Sequence, residues 1–295
     1  MHAFITRRRA LLFALSLSAT EADAQGPIPS DPDPARLANA PAGDRPKGDW
    51  QLRLGGGALY APAFLGSSHY QLRAGPNIEI RYQDRYFVSL IDGVGADLIK
   101  SSHFRAGPIL RYEQKRRESG KTVLLIAGGR TEALRGLGDV PGTAEAGGYA
   151  QYQSGRVSAK VEVRKGLGGH DGLIAQLGAR YAAPISAIAV GGRPLIVSFG
   201  PRATFVDDRY NRSYFGVDAR QSVQSGLPRY RATGGLLSYG TGGTILLPFA
   251  PSLSAALLAG YDRLSGDAGR SPLVRQRGSR NQGSLGLGLT YSFGG

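Results

Sequence analysis

From Trp50 onward, apolar and polar residues alternate with a period of two over most of the chain, the pattern of strands whose two faces meet different surroundings. Between Tyr70 and Tyr82 one face carries Tyr70, Leu72, Ala74, Pro76, Ile78, Ile80 and Tyr82, and the other Gln71, Arg73, Gly75, Asn77, Glu79 and Arg81. Val157, Ala159, Val161 and Val163 alternate with Ser158, Lys160, Glu162 and Arg164. Leu285, Leu287, Leu289, Tyr291 and Phe293 alternate with Ser284, Gly286, Gly288, Thr290 and Ser292. Similar stripes run through Phe104–Glu113 and Trp50–Tyr60. The periodicity predicts strands at 50–60, 70–82, 86–98, 104–114, 121–131, 143–153, 156–166, 172–183, 193–206, 234–248, 252–264 and 283–293.

Alternation alone also fits a soluble sandwich. Several stripes, however, end in aromatic residues on both sides: Trp50 with Tyr60, Tyr70 with Tyr82, Phe104 with Tyr112. That is where the interface girdles of a membrane barrel sit. The expected fold is all-β, a transmembrane antiparallel up-and-down β-barrel over 50–295 with about twelve strands, an even count that returns both termini to the periplasm. The stretches 86–98 and 121–131 alternate poorly, and ten strands is the alternative. Short connections at Gln83–Arg85, Ser154–Gly155 and Pro251 belong on the periplasmic side, and long ones at about 207–233 and 265–282 on the outer side.

Mean hydropathy is only −0.19, as expected when apolar residues occupy every second position. No run reaches the roughly 18 apolar residues of a membrane helix. At the N-terminus, Arg7–Arg9, the apolar run Ala10–Ala19 and the Ala22-Asp23-Ala24 site predict a signal peptide over 1–24, and hence export. Residues 25–49 hold six of the 17 prolines and few large apolar side chains, so they are expected to form a disordered periplasmic segment. Cysteine is absent, which excludes disulfides and thiolate chemistry. The formal charge of +14 falls to +13 once the leader, with three Arg and two acids, is removed. For an exported chain this points to anionic lipid and lipopolysaccharide rather than nucleic acid.

Four stretches together carry a resemblance. They are Ala61-Pro62-Ala63-Phe64-Leu65-Gly66-Ser67 with Pro76 and Arg81-Tyr82; Arg212-Ser213-Tyr214-Phe215-Gly216-Val217 continuing to Ser225-Gly226-Leu227 and Tyr230; Arg263-Leu264-Ser265 before Ser271-Pro272-Leu273-Val274; and the closing Gly288-Leu289-Thr290-Tyr291-Ser292-Phe293. The chain resembles the MipA/OmpV family over about 50–293. The resemblance implies a protein of the cell outer membrane that acts as a scaffold between a lytic transglycosylase and a murein synthase. One departure is that Gly294 and Gly295 follow the terminal aromatic read by the assembly machinery.

The polar faces place Arg53, Arg73, Glu79, Arg81, Arg105, Arg111, Glu113, Lys160, Glu162, Arg164, Arg180 and Arg202 along the lumen, where basic groups outnumber acids. A narrow anion-preferring pore is therefore the alternative function. In the 207–233 loop, Arg209, Tyr210, Arg212, Tyr214, Phe215, Arg229, Tyr230 and Arg231 supply the Tyr and Arg common at interfaces. A hydrolase is the third reading, with His69, His103 and His170 expected on outer connections beside Asp207-Asp208. No G-x-S-x-G nucleophile motif and no close His spacing supports it. No catalytic, cofactor or metal residue is assigned, and no enzyme activity is expected.

Overall fold

The computed structural model describes residues 49–120 and 125–294. The segments 1–24 and 25–48 therefore lie outside the described residues. The strands are β1 (Trp50–Pro62), β2 (Tyr70–Tyr82), β3 (Tyr86–Ser89), β4 (Gly93–Ala96), β5 (Ile99–Lys100), β6 (Phe104–Glu113), β7 (Leu125–Ala127), β8 (Thr143–Ser154), β9 (Val157–Gly168), β10 (Leu173–Val190), β11 (Arg193–Val206), β12 (Gly235–Pro248), β13 (Leu253–Leu264) and β14 (Asn281–Gly294). All pairings are antiparallel, and β1 pairs with both β2 and β14, so the sheet closes. With β4 and β5 sharing one position beside β6, the wall has twelve strands. Closure satisfies the backbone groups of the wall, the condition for strands in hydrocarbon. No helix among the described residues is long and apolar enough to cross a membrane.

The count of twelve comes out as expected, but two of its members differ. The stretch 86–98 is not one strand but a short hairpin, β3–β4, which turns at Leu90–Asp92. Ser89 Oγ accepts from the backbone N–H of Ile91 and Asp92, and Gly93 takes φ +81°, so an Asp-Gly turn breaks the run. In the stretch 121–131, only Leu125–Ala127 pairs among the described residues, against β2 and off the closed path. The two differences cancel in number and reverse the direction of β6. Phe104 now stands opposite Tyr152, beside the short β8–β9 turn, and Glu113 opposite Thr143. His103 consequently sits at the short-turn end, where its carbonyl accepts from Gln153 N, and not on an outer connection. The connection from β6 to β8 becomes a long excursion at the opposite end.

The wall is apolar outside and polar inside. Leu285, Leu287, Leu289, Tyr291 and Phe293 of β14 are exposed, whereas Arg111, Glu145, Glu162 and Arg164 are buried. Aromatics meet at both rims: Trp50 stacks near Tyr82 with centroids 4.6 Å apart, and Tyr60 on Tyr70 at 5.2 Å.

Four connections at the long-loop end fold together: 63–69, the described parts 114–120 and 125–142 of the second, 207–234 and 265–280. The third holds helices α1 (Asp208–Phe215) and α2 (Ala219–Ser225), the fourth α3 (Gly266–Arg270) and α4 (Pro272–Arg277). Asp207 caps α1 by accepting from Tyr210 N, and Asp218 forms a reciprocal capping box with Gln221 on α2. The α2 helix ends on Gly226 at φ +73°, a left-handed cap that costs glycine little.

Candidate functional site

The barrel interior and the cap above it form one continuous site. Directly beneath the cap is a buried charge cluster on β6, β8, β9 and β10. Arg164, with no exposed side-chain surface, donates Nε to Glu145 Oε2 at 2.7 Å and a terminal nitrogen to Gln176 Oε1 at 3.0 Å, and also pairs with Glu162. Arg111 donates to Glu162 at 3.2 Å, and Lys160 lies 2.7 Å from the same carboxylate. His170 Nδ1 accepts from Gly172 N at 3.0 Å, so the ring proton is on Nε2 and is donated to Glu145 Oε1 at 3.0 Å. Within this cluster each buried charge thus has a counter-charge, without which its desolvation would be prohibitive.

Nearer the short turns, Arg105 joins Asp97 at 2.8 Å and Asp84 at 2.9 Å, and Tyr149 donates its hydroxyl to Asp97 at 2.5 Å. Arg53 reaches Glu79 at 3.2 Å, and Arg81 pairs with the same carboxylate. On the other side of the lumen, Arg202 grips Asp262 through two nitrogens, Nε at 2.8 Å, and lies against Gly242 and Gly260. Arg73, Glu113 and Arg180 are buried, and Arg73 donates to Pro62 O at 3.3 Å. Sequence reasoning placed Glu79, Glu113 and Glu162 among these cations and missed Asp84, Asp97, Glu145 and Asp262. Glu145 and Asp262 were legible: each occupies a polar position of an alternating strand. Asp84 and Asp97 were not, because they lie in connections that turn back over the lumen.

The cap rests on this layer. Its core contains Tyr210, Tyr214 and Phe215 from α1, Val274 from α4, Val140, and the inward side chains Ile174, Val206, Leu237 and Leu264 of the wall. A second cluster joins Ala63, Phe64, Leu134, Leu137, Val217, Leu227 and Leu273. Each large side chain so buried contributes about 1.5–3 kcal/mol. Arg277 ties three connections together, donating to the carbonyls of Ala133 at 3.2 Å, Arg135 at 3.0 Å and Ser225. Gln282, an inward residue of β14, accepts from Gly66 N at 2.9 Å. Segments from all sides therefore meet across the mouth.

Of the loop residues expected at an interface, Tyr210, Tyr214 and Phe215 are 3%, 6% and 0% exposed and belong to this core instead. Their spacing puts them on one face of a helix, and burial of that face pushes both tyrosine hydroxyls above the usual phenol range. Arg209, Arg212, Arg229 and Arg231 are exposed, with Arg212 paired to Asp208 at 2.9 Å, while Tyr230 is half-buried and donates to Asp267 O at 2.9 Å. Arg116 donates to Tyr214 O at 2.6 Å within the cap, and burial lowers its pKa to about 10. Asp267 is held down at about 2, chiefly by the Thr233 hydroxyl and N–H, with Arg270 beside it. The three histidines are not brought together: His170 is buried under the cap, His69 bonds to Gly128 O at the rim, and His103 is at the other end. Among the described residues no His, Cys, Asp and Glu group is arranged to hold a metal.

A family model described as MltA-interacting protein MipA matches residues 54–293. The chain belongs to this family. The MipA match takes in all four cap connections and the wall from Leu54 to Phe293. No curated protein matches the chain. Solved structures similar to it include the COG4313 outer membrane channel from Pseudomonas putida F1, at 13% identity and TM-score 0.44, covering 89% of this chain and 100% of that one. A bacterial polysaccharide outer membrane secretin aligns at 10% identity and TM-score 0.40, covering 83% and 98%. Pseudomonas putida OprB aligns at 14% and 0.37, covering 76% of this chain, which spans 59% of its length. The closed wall and the family match make the chain an outer-membrane β-barrel of the MipA family.

Proposed function

We propose that this barrel is a non-conducting, non-catalytic scaffold of the cell envelope. The observation that carries the reading is the filling of its interior, where paired charges occupy the lumen and a cap with its own apolar core covers one mouth. The family description names MltA as a partner, so a lytic transglycosylase is the first candidate and a murein synthase the second. Both would meet the short-turn end, the periplasmic side of barrels of this class. There β10 and β11 run past the aromatic Tyr181 into a hairpin on which Ile185 and Ile188 are 37% and 52% exposed. An apolar projection of this kind fits a protein partner. Lipopolysaccharide is the partner proposed for the opposite, arginine-rich end.

The test is crosslinking of the refolded full chain to a purified lytic transglycosylase, beside single-channel recordings. A crosslink lost in Ile185→Asp/Ile188→Asp, from a barrel that is electrically silent, supports the scaffold. Steady anion-selective steps would instead favour the pore reading, in which the lumen arginines select the solute.

A further inference from the structure

We infer that the outer surface of the barrel carries a site for the phosphate of lipid A, built on one cross-strand row of β12, β13 and β14. It rests on the proposal that the long-loop end faces the outer leaflet. In that row Tyr239 stands opposite Arg263, and Arg263 opposite Asn281. All three occupy outward positions, in phase with Tyr261 on β13 and with Leu285, Leu287 and Leu289 on β14. Arg263 donates to Asn281 Oδ1 at 3.2 Å, and the Tyr261 hydroxyl donates to the same oxygen at 2.9 Å. One amide thus fixes an arginine and a tyrosine side by side, leaving its own nitrogen engaged by neither.

An arginine on the outward face is costly at the centre of a membrane and nearly neutral at the interface. Here Tyr239 and Tyr261, 48% and 45% exposed, mark that interface, so the guanidinium stands at headgroup height and not in hydrocarbon. A planar guanidinium with hydroxyl and amide donors around it matches the oxygens of a phosphate. The surroundings are one-sided in charge. The connection just above, 265–280, holds Arg270, Arg275, Arg277 and Arg280 against the single acid Asp267, which is already engaged by Thr233 and Arg270. By contrast, the connection above β1–β2, Ala61–His69, contains no Arg, Lys, Asp or Glu. Between a phospholipid and lipid A as the source of the phosphate, the height of the row in the outer leaflet selects lipid A. The glucosamine hydroxyls of that headgroup have donors and acceptors to meet in Asn281 and the two tyrosines.

The experiment is native mass spectrometry of the refolded full-length barrel in detergent with three probes: bisphosphorylated lipid A, the same lipid dephosphorylated, and phosphatidylglycerol. Bisphosphorylated lipid A is expected to bind at least about tenfold tighter than either of the others, the factor that about 1.4 kcal/mol represents. Arg263→Gln/Arg280→Gln should lose that preference, and Asn281→Asp alone should do the same by setting a carboxylate against the phosphate. Arg209→Gln/Arg220→Gln, on the cap helices, should retain it. Heat-modified migration on gels identifies the folded fraction of each variant. Undiminished lipid A binding in both Arg263→Gln/Arg280→Gln and Asn281→Asp, or phosphatidylglycerol bound as tightly as lipid A, would overturn the site. No murein enzyme enters this assay, so its failure leaves the scaffold proposal standing.

Discussion

In the cap, Phe64, Leu134, Phe215 and Leu273 are buried among apolar neighbours while Arg209, Arg229 and Arg231 face outward. In the wall, Leu285, Leu287 and Leu289 face outward while Arg164 is fully enclosed by Glu145, Glu162 and Gln176. One chain thus packs by two opposite rules within a few residues of each other, because the solvent changes from water to hydrocarbon at the tyrosine girdle. Water drives apolar side chains inward in the cap. Hydrocarbon gives them no reason to leave the surface of the wall and forces every backbone polar group to pair. The two regions should therefore respond differently to the same kind of substitution.

The largest effect is expected from Phe215→Ala in the cap. Emptying this fully buried ring costs about 3–5 kcal/mol and should unfold the cap while the wall survives. Protease cleavage within 207–233, on a barrel that still shows heat-modified migration, checks it. Conversely, an intact cap would mean that its packing depends on the wall more than on its own core.

In the lumen the comparable break is electrostatic. Arg164→Gln leaves Glu145 and Glu162 buried with less compensation, at about 3 kcal/mol. Urea unfolding of the barrel in vesicles should shift to lower midpoint, with the cap still protected from protease. Next comes Asp218→Ala, which removes the reciprocal cap of α2 and costs about 1 kcal/mol. Faster hydrogen exchange confined to 219–225 would report it.

The smallest effect is one of pH. The Asp267 carboxyl is depressed to about 2, so its folded form favours the ionised state. Its contribution is complete above the unfolded value of about 4 and is lost as pH falls towards 2. Exchange of the Thr233 amide should be insensitive to Asp267 ionisation between about pH 5 and 8 and accelerate relative to its neighbours below about pH 4. Asp267→Asn should abolish that dependence.

Much of the wall was legible because its side chains alternate strictly: β1, β2, β9, β13 and β14 fall within two residues of the expected limits. The β3–β4 hairpin was not, since four-residue strands carry too little periodicity to separate them from one strand with a poor pattern. The cap was misread for a different reason. Tyr210, Tyr214 and Arg212 have the composition of an exposed interface, and only their helical spacing hinted that the tyrosines share a buried face.

What the sequence by itself determined is the barrel and the polarity of its two faces, because a period of two is a local property written in neighbouring residues, whereas the count of twelve came out only because two misread stretches cancelled. Its family membership was equally readable from short motifs. What only the tertiary structure decided is which charges meet. Glu145 on β8 finds Arg164 on β9, His170 in a connection finds Glu145, and Arg202 finds Asp262 across 60 residues of chain. Those pairings depend on register, and the pairings of Arg105 with Asp97 and of Arg111 with Glu162 depend also on the direction of β6, which one missed turn at Asp92-Gly93 was enough to reverse. The cap depends on tertiary structure too, since its core is assembled from four separate connections that meet at one mouth of the closed wall.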